Sequence, residues 1–401
     1  MKVGFITDAH LGAFGQHPAL DAIARQRMGA ARDFYHKQGC SWIFIMGDLF
    51  NTPVPGTRLL NFVIEWLKLA REQKIAVAAL EGSHDASAIQ PSFIDVLAHT
   101  NLLVRLSPGQ QAVAPGVSVF ALPGMRGGTE IRNVKLESGP KDEPSLFLFH
   151  TALKEALPEN LRDKISGLSI KELPKHWGAY VGAHLHWPYS FATKSGKPVV
   201  CSGPLLGSSI ADLQIAQHKL LTLEWNGKQW RAKFDPFPES KNMGRVIVIP
   251  VKIPIHWNDI ADAHSRQTQI MVTLRFSLRD ARSSDVAVLQ FHGKWPEPTF
   301  NPYPYQQVVC PPFGAVLSDI SGVTGIKGDT EKQVSAEPGG IQLEKRLAQL
   351  SDKNVRTRQV VSLYHEMAQG AEVDETKGTF VKGRVTAGCR ALEIPETTEG
   401  K

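Results

Sequence analysis

Five short apolar runs in the first two hundred residues each lead within a few residues to an aspartate or a histidine. After VGFIT comes Asp8-Ala9-His10, and after WIFIM comes Gly47-Asp48. IAVAAL leads into Glu81-Gly82-Ser83-His84-Asp85, SLFLF into His150, and YVGA into His184-Leu185-His186. The runs are too short for helices and rich in β-branched or aromatic residues, as is a sixth run, VSVFAL, so they read as buried strands. Between the first two, Ala24, Met28, Ala31 and Tyr35 recur at helical spacing and form one face of a helix. Between the second and third, TRLLNFVIEWLKLAREQK is a helix apolar on most sides, which suits burial or an interface. Strand alternating with helix predicts an α/β domain.

In such a sheet ligands bind beyond the carboxyl ends of the strands. The carboxylates of Asp8 and Asp48 and five imidazoles are therefore delivered toward one edge. One histidine after a strand, or one Gly-Asp turn, would be ordinary. Five independent strand ends that each carry a metal-type side chain are not explained by turn chemistry.

The set in this order resembles the calcineurin-like metallophosphoesterases, whose pattern is Asp-x-His, Gly-Asp, Gly-Asn-His-Asp/Glu, His and Gly-His-x-His. Within them, DAHLG (8–12) and GDLFN (47–51) look most like the DNA nuclease subunits of SbcC–SbcD complexes. The resemblance covers residues 1 to about 235. It implies a four-layer α/β/β/α sandwich with a small α+β capping domain and C-terminal helices. It further implies that Asp8, His10, Asp48 and His186 hold one metal, and that Asp48 bridges to a second held by Ser83, His150 and His184. His84 then stands beside the phosphate, and His84 and Asp48 are the catalytic residues. Mixed carboxylate and imidazole ligands suit Mn2+, two per chain, with Mg2+ or Fe2+ as alternatives. Two cations sharing a carboxylate can clamp an attacking water and a scissile phosphate.

Three positions depart from the pattern. Ser83 replaces the asparagine with a shorter donor. Ala183 replaces a glycine and adds one methyl group. Asn51 stands where relatives often carry His or Asp, which argues against proton transfer there. Every charged ligand survives, so the expectation is an active enzyme with a weaker second metal.

At 401 residues the chain calls for two or three domains. The divisions expected are 1–216 for the nuclease domain, 217–292 for a cap, 293–340 for a Pro/Gly-rich linker, 341–370 for partner-binding helices and 371–401 for a tail. In the cap, HKLLTLEW and GRVIVIPVKI are strand-like, and Ile270 to Leu278 alternate. Six prolines between 296 and 312 exclude a central strand there. Among them stand Trp295, Phe300, Tyr303 and Tyr305, which either stack on unpaired bases or stiffen a connection. Leu343, Leu347 and Leu350 mark one helix, and Val360, Tyr364 and Met367 another. These helices either dock on the coiled coil of an SbcC-like ATPase, as the resemblance implies, or fold back on this chain. The resemblance also implies a homodimer, with the helix at 57–73 as the contact.

A net charge of +6 and a pI of about 9.0 favour anionic partners such as DNA. Lys377, Lys382, Arg384 and Arg390 put basic charge in the tail, where they either touch phosphates or stay solvated. The four cysteines include no CxxC pair, which argues against a zinc ribbon or disulfide scaffold and fits a reducing cytoplasm. MKVGFITDAH is not a secretory leader, and no apolar run approaches the ~20 residues a membrane helix needs. The activity that the resemblance implies is double-strand exonuclease and single-strand endonuclease cleavage at DNA ends. The alternatives are a phosphatase or phosphodiesterase on small molecules or proteins, and a non-catalytic DNA-binding scaffold.

Overall fold

The computed structural model describes residues 1–86, 91–114, 117–125, 130–140, 143–214, 219–238, 243–252, 282–294, 301–303, 306 and 313–324. Seventeen strands and five α-helices alternate along them. In chain order they are β1 (Lys2–Ile6), α1 (Pro18–Lys37), β2 (Trp42–Met46), α2 (Thr57–Glu72), β3 (Ala76–Leu80), α3 (Phe93–His99), β4 (Val104–Arg105), β5 (Gly109–Ala114) and β6 (Val117–Leu122). Then come α4 (Glu130–Asn133), β7 (Ser145–Phe149), β8 (Ala152–Leu153), β9 (Gly167–Leu168), β10 (Ala179–Gly182), β11 (Tyr189–Ala192), β12 (Pro198–Cys201) and α5 (Ile210–Leu213). The last are β13 (Lys219–Trp225), β14 (Trp230–Pro236), β15 (Val246–Lys252), β16 (Val286–Lys294) and β17 (Ala315–Thr324).

Two six-stranded sheets carry the architecture, in the orders β14-β13-β1-β2-β3-β4 and β11-β12-β10-β7-β6-β5. Their inner faces meet in one core, where Phe5, Phe44, Met46 and Leu80 of the first sheet face Val119, Leu146, Leu148 and Val181 of the second. The outer face of the first sheet is covered by α1, α2 and α3. Ala24, Met28, Ala31 and Tyr35 are all buried there, as the spacing predicts. Tyr35 also donates its hydroxyl hydrogen to the Phe5 carbonyl at 2.6 Å, tying α1 to β1. On α2, Val63, Trp66, Leu67 and Ala70 face the core while Leu69 is exposed. The outer face of the second sheet is covered more thinly, by residues around α4 and by Leu153, Ala156 and Leu157 at the 3-10 turn 154–156, which join the cluster of Phe147, Phe149 and Trp177. The α/β sandwich expected from the sequence is present, its fourth layer built of short turns.

Two expected boundaries move. The hairpin β13–β14, placed in the cap by the sequence reading, belongs to the first sheet, where β13 pairs antiparallel with β1 from Lys2↔Glu224 to Phe5↔Leu221. The two-sheet sandwich therefore extends past residue 216. Within the expected linker, Ala315–Thr324 is a strand that pairs parallel with β16. Leu317 and Val323 are buried along it, while Ile320, Ser321 and Thr324 are exposed. With β15 it makes a three-stranded parallel sheet. Val286, Val288 and Leu317 of this sheet join the same core as α1, so the small sheet packs directly on the sandwich. The alternating run 270–278, Trp295, Phe300, Tyr305 and everything from 325 onward, including both C-terminal helices and the basic tail, lie outside the described residues. Among the described residues, no helix is long and apolar enough to cross a membrane.

Candidate metal centre

β1, β2 and β3 run parallel, and so do β7 and β10, so their carboxyl ends point the same way from two apposed sheets. The loops that follow are locked to one another by backbone hydrogen bonds: His10 N–H donates to Asp48 O at 2.8 Å and Leu11 N–H to Leu49 O at 3.0 Å. Asp85 reinforces this, accepting the backbone N–H groups of Gly82, Leu49 and Phe50 at 3.0 to 3.2 Å. Asp48 and Asp8 are used the same way. One Asp48 oxygen accepts His84 N–H at 2.8 Å, and Asp8 accepts His184 N–H at 3.0 Å.

Seven non-glycine residues in the described chain have left-handed backbone, and four of them are Asp8, His10, Asp48 and His184. Such residues cost on the order of 1–3 kcal/mol each and persist where the surroundings over-determine them. The strain is concentrated on the residues that face one another here. Gly82 is needed for a separate reason: a Cβ there would collide with Asp48.

All eight expected side chains converge. Asp8, His10 and His186 place ligand-type atoms within 4.8 Å of one another, as do His10, Asp48 and His84, and Asp48, His150 and His184. Asp48 Oδ2 lies 3.6 Å from His10 Nε2 and 3.3 Å from His150 Nε2, so a single carboxylate oxygen reaches toward both ends of the group. Ser83, His84, His184 and His186 line one cavity of about 310 Å³ with Asp48, Leu185, Trp187 and Asp212.

Burial pushes His10 down to about 3 and His184 down to about 4, leaving both imidazoles neutral with a lone pair to offer. Burial pushes Asp8 up to about 6. For Asp48 burial works upward, but His150 and His10 overrule it and hold the carboxyl well below the usual range. For His150 burial works downward and Asp48 overrules it, raising the imidazole.

The donor chemistry tests whether cations fit. His150 Nδ1 lies 2.8 Å from the Met46 carbonyl, which can only accept, so Nδ1 carries the hydrogen. The buried Nε2 has no hydrogen-bond donor and faces the acceptor-only Asp48 oxygen. His186 repeats the pattern. Its Nδ1–H donates to Asp212 at 3.0 Å, and its Nε2 stands 3.1 Å from His10 Nε2. Lone pairs facing one another in a buried space are satisfied by a proton or by a cation between them. The residues fit a divalent metal pair, with Asp8, His10, Asp48, His84, His150, His184 and His186 as the groups able to hold it.

His84, exposed like His184, has its Nδ1 held 2.9 Å from the Asn51 carbonyl. At position 51 it is thus the backbone rather than the side chain that touches the site. Two residues carry more here than the sequence suggested. Asp85 stood in the sequence only as a pattern letter, and Asp212 was not singled out. Ser209-x-x-Asp212 has the form of a helix-capping box, and it forms one. Nothing in that pattern announces a contact with His186.

Residues 1–189 match the calcineurin-like phosphoesterase family. The DNA double-strand break repair protein Mre11 of Archaeoglobus fulgidus is 27% identical over 225 residues, which is 49% of this chain and 48% of that protein. The Saccharolobus solfataricus protein of the same name is 25% identical over 212 residues, 51% of this chain and 54% of its own. That of Sulfurisphaera tokodaii is 26% identical over 211 residues, 49% and 52% respectively. The chain spans about half the length of the curated relatives it matches. Strand-end aspartates and histidines, two apposed sheets and this match agree: residues 1–189 lie in a calcineurin-like metallophosphoesterase domain, whose sheets run on to β14.

Proposed function

We propose that the protein is a two-metal DNA nuclease that hydrolyses phosphodiesters at DNA ends, as double-strand exonuclease and single-strand endonuclease. The observation that carries this reading is the placement of Asp48, whose Oδ2 faces His10 on one side and His150 on the other. One metal is assigned to Asp8, His10, Asp48 and His186, and the second to Asp48, Ser83, His150 and His184, with Mn2+ preferred over Mg2+ because each site holds two imidazole nitrogens. Such a pair, when bound, supplies charge neutralisation and an activated water.

The chain's own part is positional and protonic. His84 has its Nδ1 fixed on Asn51, which leaves Nε2 for the substrate. There it holds charge on the phosphate or passes a proton to the leaving oxygen. Leu185 and Trp187 wall the cavity, and the Trp187 indole is held by the Ala156 carbonyl at 3.1 Å. DNA is favoured over small phosphoesters by the basic charge, the packed third sheet and the relatives named for DNA double-strand break repair. By the same analogy the protein works in the cytoplasm as a dimer, with an SbcC-like ATPase docked through residues 341–370.

Plasmid, oligonucleotide and a nitrophenyl phosphodiester assayed with and without Mn2+ test the reading. Mn2+-dependent loss of DNA from ends supports it. Turnover of the small diester alone makes the protein a phosphodiesterase, and DNA binding without cleavage at any metal concentration makes it a scaffold.

A further inference from the structure

Each of three imidazoles in the centre is fixed from behind by an acceptor on its Nδ1. His84 uses the Asn51 carbonyl, His150 the Met46 carbonyl, and His186 the Asp212 carboxylate. Only the last acceptor carries charge. We propose that Asp212 is a positioning residue for the metal centre: its carboxylate fixes the tautomer and angle of His186 and strengthens that imidazole's hold on a divalent cation. The proposal rests on the two-metal reading above.

Asp212 follows His186 by 26 positions and sits in the four-residue helix α5. Its Oδ2 takes the His186 Nδ1 hydrogen at 3.0 Å and also accepts the backbone N–H groups of Ser208 at 2.8 Å and Ser209 at 2.9 Å. The Ser209 hydroxyl in turn accepts Asp212 N–H at 3.2 Å. The carboxylate is thus held by two backbone N–H groups, and its own backbone by the Ser209 hydroxyl, before it meets the imidazole. With Nδ1 committed as a donor, the lone pair of His186 must lie on Nε2, the nitrogen that stands 3.1 Å from His10 Nε2 and 3.9 Å from Asp8. The His186 side chain retains 21% of its exposure, against 0–1% for His150 and His10, so packing alone does not hold its ring. A carboxylate behind a ligating imidazole makes it more basic and sets its direction, and losing such a partner typically weakens metal affinity about 10- to 100-fold.

The same oxygen serves the helix cap, so the test must separate capping from positioning. Mn2+ binding to the full chain is followed by electron paramagnetic resonance of the free ion, beside thermal unfolding without metal, for wild type, Asp212→Ala, Asp212→Asn and Ser209→Ala. Asp212→Ala should weaken one of two manganese sites about 10- to 100-fold and leave the other unchanged. Asp212→Asn keeps an oxygen for the cap and for His186 but loses the charge, and should fall between Asp212→Ala and wild type. Ser209→Ala should lower the melting temperature while leaving manganese affinity within about a factor of two. Ser209→Ala weakening manganese as much as Asp212→Ala would reduce Asp212 to a helix cap. If the alanine variant does not fold, Asp212→Asn decides: wild-type affinity in that variant overturns the proposal. A wild-type chain that binds no manganese overturns the two-metal reading and this proposal together. Two sites in wild type with an indifferent Asp212→Asn overturn this one alone.

Discussion

Adding one carbon at two different glycines should have opposite consequences. At Gly82 an ideal Cβ would lie 2.6 Å from the Asp48 Cγ and closer still to its Oδ1 and backbone nitrogen, where real Cβ contacts essentially never fall below 3.0 Å. The atoms in the way are backbone and a buried carboxylate, so the 81–85 loop or Asp48 itself must move. Overpacking of this kind costs roughly 1–3 kcal/mol. The displaced Asp48 also loses its reach toward both His10 and His150. At Gly29, inside α1, a Cβ meets nothing within 4 Å, and the backbone there is helical. Gly29→Ala should stabilise by about 0.5–1 kcal/mol, the ordinary helix preference for alanine. At about 2–4 °C per kcal/mol, the two variants should melt on opposite sides of wild type. Differential scanning fluorimetry gives the melting temperatures, and Mn2+ titration should show Gly82→Ala losing stoichiometry while Gly29→Ala keeps it. A Gly82→Ala protein with wild-type melting and wild-type metal content would refute the packing of this loop on Asp48.

Three further outcomes are expected. Ser83→Asn restores the longer amide donor and should lower the Mn2+ needed for half-maximal cleavage by about ten-fold, one added contact of about 1–2 kcal/mol; identical titration of wild type, Ser83→Asn and Ser83→Ala would remove position 83 from the site. His84→Ala should cut turnover by about 10²- to 10⁴-fold with both metals retained, as a proton-transfer role requires; loss of metal instead would make His84 a ligand. Asp285, fully buried, accepts from Arg245 Nη2 at 2.7 Å and from the backbone N–H groups of Arg245 and Arg282. Burial pushes its carboxyl up, and the Arg245 and Arg282 bonds overrule that and hold it below the usual range. A depressed carboxylate stabilises the fold above the unfolded value of about 4 and loses that contribution as pH falls below it. The melting difference between wild type and Asp285→Asn should therefore be largest near pH 6 and shrink near pH 3.

Much of the centre was legible because it depends on short-range patterning. A strand ends where its apolar run ends, and the next polar residue is delivered to the sheet edge, so Asp8, Asp48, His150 and His184 could be placed without any tertiary information. The buried face of α1 was readable for the same reason. What could not be read was pairing at a distance. HKLLTLEW is plainly a strand, but its alternation does not say that it joins β1 rather than a cap. β17 was hidden because Ser318, Asp319 and Ser321 look like linker when the partner strand is unknown. Asp212 was hidden because a capping box explains its presence completely at the local level, while its contact with His186 exists only once β10 and α5 are folded together.

The first strand has a neighbour on each side, and one of them is made very late. Met1 and Trp225 exchange backbone hydrogen bonds across 224 positions. Chemistry and foldability therefore have different boundaries in this chain. A fragment stopping at residue 216 contains every side chain of the centre, Asp212 included, yet leaves one whole edge of β1 with unpaired amides and carbonyls. During synthesis that edge stays open until the ribosome has released the hairpin, and loop closure over such a separation is slow. An exposed apolar edge of this kind is a template for pairing with another chain. The hairpin β13–β14 places no side chain among those lining the cavity, and by pairing with β1 it covers the edge that another copy could otherwise take.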